Sequence, residues 1–225
     1  MSSPPLRTQF VSQPFTFSAS HELRLLADDH KCRRNHGHNY IVTPTVLARQ
    51  GASAELATFG EYLDATFDHY LINDRVDFHP TSELLARHLA GWFQDHIEPK
   101  KDITLLVIEV SETPSSVARC DAVTGGITIS RTFHSTTHGD ISVVLGADEL
   151  DEFGFITDFS DVAPFASYLR EPETQSQLGS VGPALVVSLA DWFVANVEPT
   201  VRSRLESVQF EAGTATATWE RGVRS

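Results

Sequence analysis

His21, Cys32, His36 and His38 bring three imidazoles and a thiol close together near the start of the chain. His36 and His38 are two residues apart, so on a strand both side chains point to one face and can reach one ion. His21 ends a strand-like stretch, and an antiparallel hairpin would bring it beside them. Three imidazoles leave a fourth position open for water or substrate, the arrangement of catalytic rather than structural zinc. Neutral ligands also leave the ion its full charge for polarising an oxygen. Cys32 is either a further ligand or a reactive thiol. Its neighbours Lys31 and Arg33 create an electropositive setting that favours thiolate.

Two further features have chemical potential. Asp68-His69 couples a carboxylate to an imidazole and would form a proton-transfer unit with Cys32 if the fold brings them together; otherwise Asp68 is a helix cap and His69 a surface group. Glu112 ends a strand candidate. A carboxylate there can take paired hydrogen bonds from the N–H and amino group of a guanine- or pterin-like ring, or be solvated. Lys31, Arg33 and Arg34 are candidate phosphate contacts or ordinary loop charges.

The elements that must hold these groups follow from patterning. Strands are predicted at Phe15 to Ser20, Tyr40 to Leu47 and Ile103 to Val110, with Pro44 marking an edge or a bulge. A short helix is expected at Glu61 to Thr66. A second helix follows Thr81, with Leu84, Leu85, His88, Leu89, Trp92 and Phe93 at helical spacing. The stretch LAGWFQDHIEP at 89–99 returns as LADWFVANVEP at 189–199. Thr58-Phe59 is echoed by Asp158-Phe159 and Glu112 by Glu211. In the second half, strands are expected at Ile127 to Phe133, Ile141 to Leu145 and Leu205 to Trp219. Helices are expected at Asp158 to Leu169, disturbed by Pro164, and at Val181 to Val197. We therefore expect an α+β protein of two β-β-α-α-β-β units in tandem, with helices on one face of antiparallel sheets. The divisions are a disordered lead at 1–14, a first unit at 15–122 and a second at 126–221. Such sheets leave their edges open, so a homo-oligomer is expected.

The net charge of -13, from 17 basic against 30 acidic residues in 225, opposes nucleic-acid binding. No apolar run is long enough to span a bilayer, and the first fifteen residues do not read as a secretory signal. Two cysteines make no disulfide framework, and a cytoplasmic protein is expected.

The segments FTFSASHEL (15–23), KCRRNHGHNY (31–40), FDHYLIND (67–74), HPTSELLARHLAGWF (79–93) and VIEVSET (107–113) resemble the 6-pyruvoyl-tetrahydropterin synthase family, especially its 6-carboxy-5,6,7,8-tetrahydropterin synthase branch. The resemblance implies zinc on His21, His36 and His38, a catalytic triad of Cys32, Asp68 and His69, and a pterin ring anchored by Glu112. It implies the tunnelling fold, assembled as an oligomeric barrel with active sites between subunits. It also implies conversion of 7,8-dihydroneopterin triphosphate to 6-carboxy-5,6,7,8-tetrahydropterin, with loss of acetaldehyde and triphosphate, on the route to 7-deazaguanines such as queuosine. Alternatives are 6-pyruvoyl-tetrahydropterin synthesis, another dihydropterin side-chain lyase, and a non-catalytic zinc-dependent pterin or purine binder. Two departures stand out. Thr58 replaces the family's Asp, and few residues separate Phe59 from Asp68, which predicts a shortened first helix. The second half has no cysteine and no Asp-His pair, and Asp140 is expected at the place of His38. It reads as a degenerate partner, with Glu211 as a possible ligand anchor.

Overall fold

A computed structural model describes residues 8–48, 51–100, 102–135, 138–158, 160–179 and 182–222. The chain divides into two compact units, Met1–Ile127 and Thr128–Ser225.

The first unit contains β1 (Gln9–Ser12), β2 (Phe15–His21), β3 (His36–Ala48), α1 (Ser53–Phe67), α2 (Ser82–His96), β4 (Ile103–Thr113) and β5 (Ser116–Asp121). β3 is the spine. β2 pairs with its first half and β1 with its last four residues, while β4 runs along its other side and pairs with β5, all antiparallel. Part of the expected disordered lead is thus ordered: Gln9–Ser12 gain a backbone ladder on β3, and the Ser12 and Thr45 hydroxyls meet at 2.8 Å. Residues 1–7 of that lead lie outside the described residues. Pro44 is interior to β3, yet its missing N–H costs no ladder bond. It falls where pairing passes from β2 to β1, with its carbonyl accepting from Gln13 N at 3.4 Å, and a register shift follows at Thr45/Val46.

α1 is longer than the expected Glu61 to Thr66. It runs for 15 residues, as α2 does. Gly60 weakens the helical pattern in sequence, but its bare Cα lets the Phe15 ring lie close; a Cβ there would stand 2.6 Å from that ring. α2 starts at its Thr81 cap, whose hydroxyl accepts from Leu84 N at 3.2 Å. Leu85, Leu89, Ala90 and Phe93 form its buried stripe against β4 and β5.

The second unit contains β6 (Ile127–Ser135), β7 (Gly139–Gly146), α3 (Ala163–Tyr168), α4 (Pro172–Leu178), α5 (Pro183–Asn196), β8 (Arg204–Ala212) and β9 (Ala215–Glu220). The sheet runs β6-β7-β8-β9, antiparallel throughout. Pro164 does not disturb a helix but opens one, because a helix's first turn needs no N–H there. The helix expected at Asp158 to Leu169 is thus confined to α3, and a further short helix, opened by Pro172, follows it. Val181 and Phe159 lie outside the described residues.

The two units repeat one another's packing in detail. Tyr62 stacks on Trp92 at 3.7 Å, and Tyr168 on Trp192 at 4.1 Å. Phe15, Phe59 and Phe93 form an edge-to-face series at 5.9 and 5.4 Å; Phe133, Phe165 and Phe193 do so at 5.4 and 5.2 Å. Glu98 and Glu198 accept from the backbone of Leu105 and Leu205. The partner of Phe59 is thus Phe165, not Phe159. Both sheets carry a register shift at one place, where Val46 faces Leu105 and Leu145 faces Leu205.

That shared shift fixes the correspondence along the strands. Asp140 pairs with Glu211 as Ile41 pairs with Ser111. Asp140 therefore stands level with Ile41 rather than His38, and Glu211 level with Ser111 rather than Glu112. A one-residue slip in a strand turns a side chain to the other face. The β6–β7 ladder ends at Ser135–Gly139, the level of Phe17–Tyr40, whereas β2–β3 runs four residue pairs further, to His21–His36. The second hairpin lacks the stretch that carries the histidines.

Phe59 and Phe165 are fully buried at these matched positions. Phe59→Ala and Phe165→Ala are each expected to destabilise the chain by about 3–5 kcal/mol, measured by urea denaturation.

Candidate metal centre

The β2–β3 register places His21 opposite His36 and His38 opposite Ala19. All three imidazoles lie on the face that also carries Phe17, Tyr40 and Val42. Their ring centroids are 4.5, 4.9 and 5.2 Å apart. One nitrogen from each lies within 4.8 Å of the other two, the only such group of potential ligands among the described residues.

The hydrogen bonds decide what these nitrogens are. His21 Nδ1 lies 2.9 Å from the Pro80 carbonyl and His36 Nδ1 lies 2.7 Å from that of Arg34. His38 bonds the Glu112 carbonyl, and its Nε2 is buried without a protein partner. Carbonyl oxygens only accept, so each Nδ1 must carry the proton. Each neutral ring then has a bare lone pair at Nε2. His21 Nε2 and His36 Nε2 face each other at 3.1 Å, two acceptors with no proton to share. A cation between them resolves this arrangement. Tetrahedral coordination with metal–nitrogen bonds near 2.0–2.1 Å puts ligand atoms about 3.3 Å apart, close to the separation found. The residues present fit a metal ion.

Electrostatics agree. Burial lowers His21 to a pKa of about 4, opposed by the nearby Glu112 carboxylate. Burial also lowers His38. Both rings are thus held neutral, as ligands must be.

Cys32 is half-buried in a 3-10 turn, Lys31–Arg33, on the β2–β3 connection. Its carbonyl accepts from Leu23 N at 3.1 Å and its N–H donates to His30 Nδ1 at 3.2 Å. It is not a member of the ligand group. Arg33 is spent on the loop itself: Nη1 donates to the Arg24 and Leu26 carbonyls, both at 2.5 Å, and Nη2 meets Asp28 at 3.0 Å. Asn73 clamps the other end. It accepts from Glu22 N at 2.8 Å and donates to Glu22 O at 2.9 Å, directly after His21. Sequence reading missed this role of Asn73; only its place in the FDHYLIND segment marked it.

Asp68 and His69 do form a pair, with His69 Nδ1 2.7 Å from Asp68 Oδ2. Asp68 also accepts from Ser18 N at 2.9 Å, and these bonds lower its pKa. His69 has φ of 61°, a left-handed conformation that is costly for a histidine and marks functional sites. Its N–H donates to Ser18 O at 2.6 Å. His69 lines an open groove with the hairpin residues Ser18, Ala19, Ser20, Gly37, His38 and Asn39, so His38 borders both this groove and the imidazole cluster. Glu112 Oε2 lies 4.0 Å from His21 Nε2 and accepts from Ser82 Oγ at 3.0 Å.

The fold and site define an α+β protein whose first unit has the order β-β-α-α-β-β, preceded by one short strand, and holds a three-imidazole centre suited to a metal. Residues 10–122 match the family described as "6-pyruvoyl tetrahydropterin synthase". The chain is 30% identical over 122 residues to the 6-carboxy-5,6,7,8-tetrahydropterin synthase of Synechocystis sp., covering 48% of this chain and 90% of that one. It is 29% identical over 108 residues to the enzyme of the same name from Bacillus subtilis, covering 43% and 74%. The solved structure of 6-pyruvoyl tetrahydropterin synthase from Caenorhabditis elegans aligns over 52% of this chain and 96% of its own, with 21% identity and a TM-score of 0.44. The chain belongs to the 6-pyruvoyl tetrahydropterin synthase family. No helix among the described residues is long and apolar enough to cross a membrane.

Removing one ligand should break the centre: His36→Ala is expected to lower metal affinity by more than about 100-fold, read by chelator competition. The metal-free chain should also be acid-sensitive. Between pH 6.5 and about 4 the unfolded chain protonates at this position while folded His21 does not. Stability is therefore full above that window and falls as pH drops through it, by about 3 kcal/mol at most from this group. Thermal melts of the metal-free chain across the window check this.

Proposed function

We propose that the first unit is a zinc-dependent lyase that converts 7,8-dihydroneopterin triphosphate to 6-carboxy-5,6,7,8-tetrahydropterin, releasing acetaldehyde and triphosphate. The observation that carries this reading is the set of three Nε2 lone pairs, each fixed by an Nδ1–H bonded to a backbone carbonyl. The names of the Synechocystis and Bacillus subtilis relatives support the choice of reaction.

His21, His36 and His38 would hold the ion. Bound zinc supplies a Lewis acid that orients the side-chain hydroxyls and acidifies the adjacent carbon-bound hydrogens. Glu112 accepts the ring's N–H and amino group as a pair of charge-assisted bonds, 4.0 Å from a metal ligand. Cys32, as thiolate, removes a proton from the side chain next to the ring. His69, with its Nδ1 proton directed at Asp68, offers Nε2 to take up a proton and, once protonated, to return it to the substrate.

The groove beside His69 also touches His38 and is open. A chain suits a homo-oligomer of the family's barrel type, in which a neighbouring chain covers that groove. The second unit is read as a duplicated copy that lost its site with the end of its hairpin and remains as a structural partner. Two unbridged cysteines fit a cytoplasmic setting.

The test supplies the zinc-loaded chain with 7,8-dihydroneopterin triphosphate and measures acetaldehyde. Cys32→Ala is expected to lower turnover by about 100-fold or more without changing zinc content. Turnover unaffected by that change would sink the mechanism. A 6-pyruvoyl product would move the chain to the sister reaction, and stoichiometric zinc without turnover of any dihydropterin would make it a binding protein.

A further inference from the structure

We infer that Ser82 is a positioning residue for the ring-binding carboxylate, and that the three residues Pro80 to Ser82 set the spacing between the metal centre and the pterin ring. The inference rests on the pterin-binding reading above and extends it to a residue that makes no contact with the metal.

Two hydrogen bonds leave this short segment toward the site. The Pro80 carbonyl fixes His21 Nδ1 at 2.9 Å, which aims His21 Nε2 into the metal centre. Two residues on, Ser82 Oγ donates to Glu112 Oε2 at 3.0 Å. The two side chains so held approach each other at 4.0 Å, His21 Nε2 to Glu112 Oε2. The segment is stiff. Thr81 is fully buried, caps α2 through Leu84 N, and Ser82 is the first residue of that 15-residue helix. Pro80 O and Ser82 Oγ therefore behave as two pegs on one rigid bracket. One peg orients a metal ligand and the other orients the carboxylate.

The chemistry of the substrate class makes that spacing matter. A dihydropterin bearing a hydroxylated side chain must present the amidine-like edge of its ring and the oxygens of its side chain at a fixed separation. A glutamate has three side-chain torsions, and its carboxylate at a strand end would otherwise sample several positions. The Ser82 bond occupies one of about four acceptor sites on the carboxylate and leaves the rest for the ring. Pre-ordering an acceptor in this way raises affinity by cutting the cost of ordering it at binding. Ser82 does not touch the reacting carbons, so its loss acts on binding rather than on the chemical step.

The experiment uses the zinc-loaded full chain and 7,8-dihydroneopterin as a fluorescent probe, with turnover of the triphosphate in parallel. Ser82→Ala is expected to weaken probe binding about tenfold. KM should rise by a similar factor, with kcat within about twofold and zinc content unchanged. Ser82→Thr, which keeps the hydroxyl, should restore binding. In the background of Glu112→Gln, Ser82→Ala should cost little more, because it acts through that carboxylate. Unchanged probe binding in Ser82→Ala overturns the inference, and so does a full additive loss in the double variant. A fall in zinc content together with binding overturns it as well, since the residue would then be merely structural. If Ser82→Ala does not fold, Ser82→Cys, with a similar shape and a weak donor, reads the same quantities. A wild-type chain that binds the probe but releases no acetaldehyde removes the lyase reading and leaves this test intact. A wild-type chain that does not bind it overturns both.

Discussion

A proton on each Nδ1 is the constraint on which the rest of the site depends. Three backbone carbonyls, from Pro80, Arg34 and Glu112, each take an N–H from one imidazole. Because a carbonyl cannot donate, the tautomer is settled and three Nε2 lone pairs are left to converge. Burial then keeps the His21 and His38 rings neutral. A cation shared among the nitrogens would relieve their mutual repulsion, so ordinary main-chain hydrogen bonds give the cluster its fit for a metal ion.

Those carbonyls come from separate parts of the unit, which explains how much of the fold serves the site. Pro80 precedes the cap of α2, Arg34 leads into β3, and Glu112 ends β4. The connection between the ligands is equally controlled. Arg33 ties the Cys32 loop to its own backbone and to Asp28, while Asn73 pins Glu22 beside His21. Basic residues near a metal site invite a reading as anion contacts, but Arg33 has its donors committed within the loop.

The second unit shows what the site requires by its contrast with the first. Its aromatic packing and its strand-register shift match the first unit closely. Its hairpin, however, closes at the level of Tyr40, where Gly139 takes up a φ of 114° and lies against the Glu211 backbone. The scaffold survives without the extension, so the core and the chemistry are separable. Folding depends on the Phe and Trp layer between helices and sheet; the metal centre depends on four further residues of strand pairing.

The sequence by itself determined the chemical identities. It marked His21, His36 and His38 as one cluster of imidazoles, Asp68 beside His69 as a pair, the strands and the second helix of the first unit, and the echo between the halves, because residue type, period-two spacing and capping signals are local properties. It misplaced what depends on pairing between distant segments. α1 begins at Ser53 rather than Glu61, because Leu56, Phe59 and Gly60 are buried along its face together with Leu63 and Phe67. Matching Asp140 with His38 and Glu211 with Glu112 followed position in sequence, but the shared register shift sets them off by three places and by one, odd numbers that reverse the face. Only the tertiary structure could decide that the Nδ1 atoms find carbonyls, that His69 shares a groove with Ser18 and His38, and that Ser82 reaches Glu112. Each is a contact between residues far apart in the chain, fixed by strand register and helix docking rather than by anything a residue's neighbours in sequence can specify.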